Sequence, residues 1–572
     1  MYLRPIYRDK DGKRHAYWAL MQSVRTARGP RSHVVAYLGA LPEVARRGVA
    51  QVAEGCQGVQ GNLFEEPAQW VEVDTSRVRV ERLREFGGPW LGQELLRQLG
   101  LDKFFCEVIP GGREEIPWSL MAQVLVLSRL CDPSSELHIA EHFYRHSALP
   151  DLLGIPIDKL NEDRLYRALD QLLPHKEALE QRLKERLGTL FDLDYDLLLY
   201  DVTSTYFEGE AQANPLAQRG YSRDGRADCK QVCIGLVVSR CGMPLGYEVF
   251  AGNRHDSQTL EDIVEMMERR YGPSNRIWVL DRGMVSEEHI EFLKQHGRRY
   301  LVGTPKSALK QFERELLSQD WETVRDGLEV NKCSSPDGQE TFILCRSADR
   351  GQKEKAMHER FANRIREGLQ KIAKACERKK QNPLAIAQRV GRLKGLNSRA
   401  AGLFSVNIEA RPDGGARVAW REVDDWRAWS ELSEGCYLLR SNVADWSGED
   451  LWRTYIQLTE AEAAFRIHKS DLRIRPIWHQ KPDRVQAHIL VCFLAYALWK
   501  TLGQCCRQAG LGDEPRKVLA ELQQIGLVDV VLPTNSGIEI RKRCVTQPSE
   551  HQAILLQRLG FQLPQRLEIH KM

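Results

Sequence analysis

Three acidic residues stand where acids are uncommon. Asp201 lies within LLLYDVTSTYFEG, residues 197–209, a run of apolar and β-branched residues closed by Gly209 and a charged stretch. Aspartate is depleted in strands, so this one is either solvated at a strand end or held on a sheet as a metal-ligating carboxylate. Asp281 ends a second apolar run, RIWVL, 80 residues downstream. Glu462 falls within YIQLTEAEAAFRIHKSDL, residues 455–472, which reads as one long helix. Carboxylates delivered by separate elements are the oxygen donors that hard divalent cations such as Mg²⁺ take, in near-octahedral geometry with several waters retained.

Spacing within the helix distinguishes Glu462 from its neighbour Glu460. At about 100° per residue the two point about 200° apart, so only one of them faces a sheet. Tyr455, Glu462 and Lys469 recur at seven-residue steps. Such steps drift by only about 20°, so the three share a face, with Leu458, Phe465 and Arg466 beside them. Glu462 is the acid on that patterned face. Taken alone, Glu462 and Arg466 at i,i+4 also describe a surface ion pair worth about 0.2–0.5 kcal/mol. The two strand acids favour the metal-ligand reading.

The elements that must position these acids follow from periodicity. Residues 195–207, 230–239 and 244–250 read as three strands, the last two joined by a tight CGM turn. A helix over 257–271, a strand over 276–280, a helix over 285–296 and a strand over 299–303 follow. This β-β-β-α-β-α-β order is that of a ribonuclease H-like core, needs no long connection, and sets the first and fourth strands side by side. Sites in open α/β sheets lie at the carboxyl ends of strands, where Asp281 falls.

The fold class predicted for the whole chain is α/β, in an α+β multidomain arrangement. Residues 1–80 form an N-terminal β-hairpin or three-stranded meander with a mixed region, and residues 81–190 are helical. The core occupies 191–310 and 436–510, interrupted by an inserted subdomain over 311–435, and 511–572 is a helical tail. Hairpins around the SPDG and PDGG turns are expected in the insertion. Residues 351–400 hold 14 Lys and Arg against 4 Glu and no Asp, so this stretch is +10 in a chain of net charge +4. Such a run is either a solvated helix face or a nucleic-acid contact.

Composition, 42% hydrophobic and 28% charged, is that of an ordinary soluble protein. The N-terminal MYLRPIYRDKDGKRH has no signal-peptide core, and the longest apolar run, residues 489–499, falls short of the ~20 residues that span a bilayer. A cytoplasmic location without a membrane partner is therefore expected. Fourteen scattered cysteines without a CxxC pair indicate reduced thiols, not a disulfide framework or structural metal site.

These residues resemble the insertion-sequence DDE transposases, specifically the group whose third-acid helix reads Y-x2-R-x3-E-x6-K. Tyr455, Glu462 and Lys469 match that spacing; Leu458 stands where the signature has Arg, and Arg466, a turn beyond Glu462, is the residue that can supply its contact. The stretches YDVTSTYFEG, GYSRDGRADCKQV, VLDRGMVSEEHI, AEAAFRIHKSDLRIRPIWH and WSLMAQVLVLSRLCDPSSELHIAEHF are similar to blocks of the same family. The resemblance runs through nearly the whole chain.

It implies a ribonuclease H-like catalytic core with a mostly β insertion between the second and third acids. It also implies a catalytic and metal-binding triad of Asp201, Asp281 and Glu462 holding two Mg²⁺ or Mn²⁺ ions. Three carboxylates can hold two ions about 3.5–4 Å apart, one activating the attacking oxygen and one stabilising the leaving oxygen. A rigid strand suits Asp201, because in-line displacement tolerates little positional error. The implied reaction is hydrolytic cleavage at the element's ends, freeing a 3′-OH that then attacks target DNA.

The implied partners are double-stranded DNA, as terminal inverted repeats and target, and a second copy of the chain, since holding two ends requires at least a homodimer. Tyr455, Lys469, Arg466, Arg473 and Arg475 are the expected DNA contacts, with His479 continuing the basic track. Arg282 and Lys230 are weaker candidates, and Asn253, His255 and Asp256 read as helix-capping residues. Residues 1–190 are the candidate end-recognition region, and their deletion is expected to leave the core folded. Two rival readings remain at this level: a non-catalytic DNA-binding relative, and a nuclease that stops after water attack.

Overall fold

The computed structural model describes residues 2–10, 13–26, 29–39, 71–273, 275–335 and 338–567. The chain divides into two compact units, Met1–Ser76 with Pro533–Ile538, and Arg77–Leu532 with Glu539–Met572. In the first, β1 (Tyr2–Lys10), β2 (Lys13–Thr26) and β3 (Gly29–Gly39) form an antiparallel sheet in that order, the meander expected from sequence. Most of the mixed segment expected after it, residues 40–70, lies outside the described residues.

The second unit opens with β4 (Arg79–Glu85) and the helices α1 (Gly87–Leu99), α2 (Trp118–Cys131), α3 (Glu162–Leu172) and α4 (Lys176–Phe191). Next come β5 (Leu197–Tyr206), β6 (Gln231–Val238), β7 (Pro244–Ala251), α5 (Leu260–Tyr271), β8 (Ile277–Leu280), α6 (Glu287–Gln295) and β9 (Arg299–Gly303). β6 pairs antiparallel with β5 and β7, while β8 runs parallel to β5 and β9. The first and fourth strands of this set are neighbours, as the topology requires.

Between the second and third acids lie β10 (Glu322–Arg325), β11 (Leu328–Ser334), β12 (Thr341–Ser347), α7 (Ala348–Arg378), α8 (Pro383–Leu396), β13 (Phe404–Ala410), β14 (Ala416–Glu422) and α9 (Asp424–Ser433). The mostly β insertion expected there does not form as such. β10, β11 and β12 extend the central sheet through β15 (Cys436–Ser441), giving the order β10-β11-β12-β15-β9-β8-β5-β6-β7. What stands apart from that sheet is mainly helical. A lone two-stranded hairpin is marginal in water, so β13–β14 needs a cover for its apolar side. α7 and α8 supply it, through Ile365, Leu369, Ile386 and Val390.

The chain ends with α10 (Gly448–Ile456), α11 (Thr459–Arg466), α12 (Pro482–Gln508), α13 (Pro515–Gln523), β16 (Gly526–Pro533), β17 (Glu539–Val545) and α14 (Glu550–Leu559). The expected helical tail therefore contains a hairpin, which joins β4 in the order β17-β16-β4. The β-branched, alternating stretch GLVDVVLP accounts for it.

β5 separates two apolar layers. Leu197 and Leu199 face one, shared with Ile277, Val279, α12 and residues 86–191; Leu198, Tyr200 and Val202 face the other, with Leu260, Ile263, Trp278 and Leu280. α12 is long and apolar enough to cross a membrane by length and composition, but 89% of its apolar window is buried inside the protein. It packs on α1, α2, α3 and α4, because a helix apolar all round must be covered all round. The helices of residues 81–190 and the sheet thus share one core, and the boundary at residue 190 separates none. Deleting residues 1–190 would strip α12, contrary to the expectation of an independently folded remainder.

Candidate active site

β5 and β8 deliver two acids to one place. Along β5, Leu197 and Leu199 face the layer that contains α11, and Asp201 is next in phase; along β8, Ile277 and Val279 face it, and Asp281 follows. Leu199 is opposite Val279 and Tyr200 opposite Leu280 in parallel register. One further step sets Asp281 beside Asp201, at the ~4.8 Å backbone spacing of neighbouring strands.

Asp201 is half-buried and lies opposite Leu236 of β6. Its Oδ1 accepts from the Val202 N–H at 2.8 Å. Burial pushes its pKa up to about 6; the Val202 N–H and the Arg223 guanidinium act against this, and the Asp281 and Glu462 carboxylates add to it. Asp281 and Glu462 therefore both lie within electrostatic reach of Asp201. Asp281 is exposed at the N-cap of the turn Arg282–Met284, and its Oδ1 accepts from the Tyr455 hydroxyl at 3.3 Å. Glu462 is exposed on α11, which lies across β5 and β6.

Neither Glu462 nor Arg466 enters an ion pair among the described residues, so the i,i+4 alternative is not formed. Glu460 instead accepts from Lys500 Nζ at 3.2 Å, on another side of the helix.

The long helix expected over 455–472 is broken. Gln457 and Leu458 donate their N–H groups to the Thr454 and Tyr455 carbonyls at 3.2 and 3.0 Å, an i to i+3 pattern that tightens the turn. The Thr459 hydroxyl donates to the Ile456 carbonyl at 2.8 Å, and α11 starts there. A π turn, Ile467–Asp471, follows. Tyr455, Glu462 and Lys469 therefore do not share one continuous helix face. Leu458 is buried in the core, so the position of the signature's Arg points inward here, while Arg466 is exposed.

The structure redistributes the expected basic contacts. Lys469 Nζ donates to Asp224 Oδ1 at 2.9 Å, and Arg475 bonds the same oxygen. The Asp224 side chain is buried and is not among the residues expected from sequence; its signal is an Asp flanked by Arg223 and Arg226 in the RDGR loop joining β5 to β6. Arg223 of that loop pairs with Asp256, and its backbone N–H donates to the buried Ser204 hydroxyl at 3.4 Å. His479 is buried and faces Glu136 Oε1 at 3.2 Å, so it is not part of an exposed track. Arg473 is exposed, and His255 caps the turn before α5 as expected.

The family model for the transposase DDE domain matches residues 192–498, more than half of the chain. The chain belongs to the DDE transposase family. No curated protein matches it. In this transposase the matched span runs from the approach to β5 into α12, and contains all three acids and the whole insertion.

The donor set fits divalent cations. β5, β8 and α11 each carry one of the three carboxylates, Asp281 and Glu462 enter no ion pair among the described residues, and their charges add to the rise that burial causes in the pKa of Asp201. The three do not form a group with ligand atoms within 4.8 Å of one another.

Proposed function

We propose that this protein is an insertion-sequence transposase that cuts its element's ends and joins the freed 3′-OH to target DNA. Its catalytic and metal-binding carboxylates are Asp201, Asp281 and Glu462, on a ribonuclease H-like core. The observation that supports the reading is that the Asp281 and Glu462 carboxylates act electrostatically on Asp201, all three lying within the span matched by the family. The order β7-β6-β5-β8-β9, with three antiparallel strands followed by parallel ones, supports the assignment of the core.

Bound at these carboxylates, two Mg²⁺ or Mn²⁺ ions would supply activation of the attacking oxygen and stabilisation of the leaving one. The chain's own contribution is position. Asp201 is fixed inside the sheet, Asp281 is oriented by the Tyr455 hydroxyl, and Glu462 is held by a helix packed on β5 and β6. Ser204 and Tyr455 are not required as nucleophiles, because water and the DNA 3′-OH fill that role.

DNA is the partner, as element ends and target, and two ends held together require at least a homodimer. Of the five DNA contacts expected from sequence, Arg466 and Arg473 have guanidinium groups without a partner among the described residues, while Tyr455, Lys469 and Arg475 are engaged within the protein. A cavity of about 650 Å³ that includes Arg282, next to Asp281, is lined by Lys353, Arg399 and Trp426, and by Lys306 and Arg350, which both pair with Glu354 in the same wall. Cations with aromatics suit a nucleic-acid strand. The protein acts in the cytoplasm.

The test is a cleavage and strand-transfer assay on labelled DNA carrying the element's own ends, with Mg²⁺, Mn²⁺ or chelator. Joined product is expected from wild type and from Glu460→Gln, and none from Glu462→Ala or in chelator. Cleavage without joining would assign a hydrolytic nuclease, and binding without cleavage a non-catalytic relative.

A further inference from the structure

We infer that the cavity between the end of α2 and the loop 473–479 is a nucleotide subsite, which takes one DNA phosphodiester on Arg129 and Arg473 and stacks the adjoining base on Trp478. The inference rests on the DNA-processing reading and adds to it a place for one nucleotide outside the three carboxylates.

The cavity, about 220 Å³, is of a size for a single nucleotide and not for a duplex. Arg129 lines it and is 4% exposed, yet its guanidinium is poorly matched. Its Nη1 donates to the Arg473 carbonyl and its Nη2 lies against His488 Nδ1, both at 3.4 Å, and its Nε has no partner among the described residues. A buried guanidinium with an unmade donor is the group an incoming phosphate oxygen satisfies.

The charge balance agrees. Glu136 is the one carboxylate among the lining residues; it meets His479 Nε2 and forms no ion pair with Arg129. Arg475 shares the single Asp224 carboxylate with Lys469. Arg129 and Arg473, with Arg475 only partly compensated, outweigh Glu136 and leave the cavity positive, as a phosphodiester requires.

Arg473 is held at φ 45°, a left-handed conformation that a non-glycine residue adopts rarely and that clusters at functional sites. Trp478, on the same wall, is 64% exposed, a large aromatic face open to a base.

A metal on this wall is the competing occupant, since ligand atoms of Glu136, His479 and His488 lie within 4.8 Å of one another. Both ring nitrogens of His488 are taken, however. Nε2 bonds the Ile474 carbonyl at 3.1 Å and Nδ1 faces Arg129, which already places a cation there.

The experiment is a salt titration of binding by the full-length protein, with a labelled DNA duplex bearing a short single-stranded overhang as probe. Trp478→Ala is expected to weaken binding by about 5- to 100-fold with an unchanged slope of log affinity against log salt. Arg473→Asn, which tolerates the left-handed backbone, is expected to lower that slope by about 0.7–0.9, and Arg473→Lys to restore it. Wild-type affinity and slope in both variants, with thermal melts showing them folded, would overturn the subsite and leave the transposase reading standing. A wild type that binds no DNA would overturn both, and tight Zn²⁺ binding lost in His479→Ala would give the wall to a metal instead.

Discussion

The Tyr455 hydroxyl donates to Oδ1 of Asp281 at 3.3 Å, tying α10 to the end of β8. Burial, reinforced by the Asp281 charge, raises the phenol's pKa well above its ordinary value, so Tyr455 remains a donor at every working pH. Gly303 on β9 permits the approach, because a Cβ there would overlap the Tyr455 hydroxyl. Tyr455→Phe should fold normally and slow end cleavage by about 10- to 100-fold, the equivalent of one hydrogen bond to a charged group. Gly303→Ala should reproduce the defect. Single-turnover cleavage rates decide it; wild-type rates in both variants would mean that Asp281 is oriented by something else.

Asp224 organises the segment that follows the third acid. Its carboxylate is 3% exposed and receives both Lys469 and Arg475, while its second oxygen has no partner. Burial lowers the Lys469 pKa and the Asp224 contact offsets this. Removing one member of a buried charge cluster strands the others, at a cost of about 3–5 kcal/mol. Asp224→Ala should therefore lower the urea midpoint by that equivalent, and an unchanged midpoint would show that water already solvates the two cations.

Truncation separates the two units from the shared core. Leu91, Leu95, Leu127 and Leu165 are fully buried in the layer that covers α12. At about 1.5–3 kcal/mol for each such side chain, losing this layer exceeds the ~5–15 kcal/mol stability of a domain. A chain beginning at residue 191 should be insoluble or molten, whereas one beginning at residue 77 should keep a cooperative melt by calorimetry. Cooperative melting of the shorter chain would restore the boundary at residue 190.

The strands that carry Asp201 and Asp281 were legible because LLLYDVTSTY and RIWVL are apolar runs interrupted or ended by a single acid, and the topology allows few neighbours for them. Glu462 is separable from Glu460 by helical phase, and in the structure Glu460 meets Lys500 while Glu462 acts on Asp201. What escaped was non-local. The break at Leu458 depends on a tightened turn and a threonine hydroxyl that no periodicity encodes. Asp224 lies 245 residues before Lys469, so its pairing could not be read from spacing. The helix over the basic run 351–400 is legible from its composition and period; that α7 and α8 together outweigh the strands, as the cover that β13–β14 requires, is not.

His468, in the π turn beside Lys469, gives the clearest expected pH dependence. Its Nδ1 lies 2.8 Å from the Ala464 carbonyl, to which it donates, and its ring packs 4.5 Å from that of Tyr496. Burial pushes its pKa down to about 4. Between about pH 6.5 and 4 the unfolded chain binds a proton there and the native protein does not. The stability this histidine contributes is therefore present above about pH 6.5 and is lost as the pH falls, by about 1.4 kcal/mol per pH unit. His488, pushed down to about 3 by burial and the neighbouring Arg129 charge, acts in the same direction. Urea unfolding of His468→Gln across that window should give a slope of stability against pH shallower than wild type by about 1.4 kcal/mol per unit. Other titrating groups cancel in the comparison, so an identical slope in the two proteins would show that His468 binds its proton in the native state, and that the turn next to the third acid is open to water.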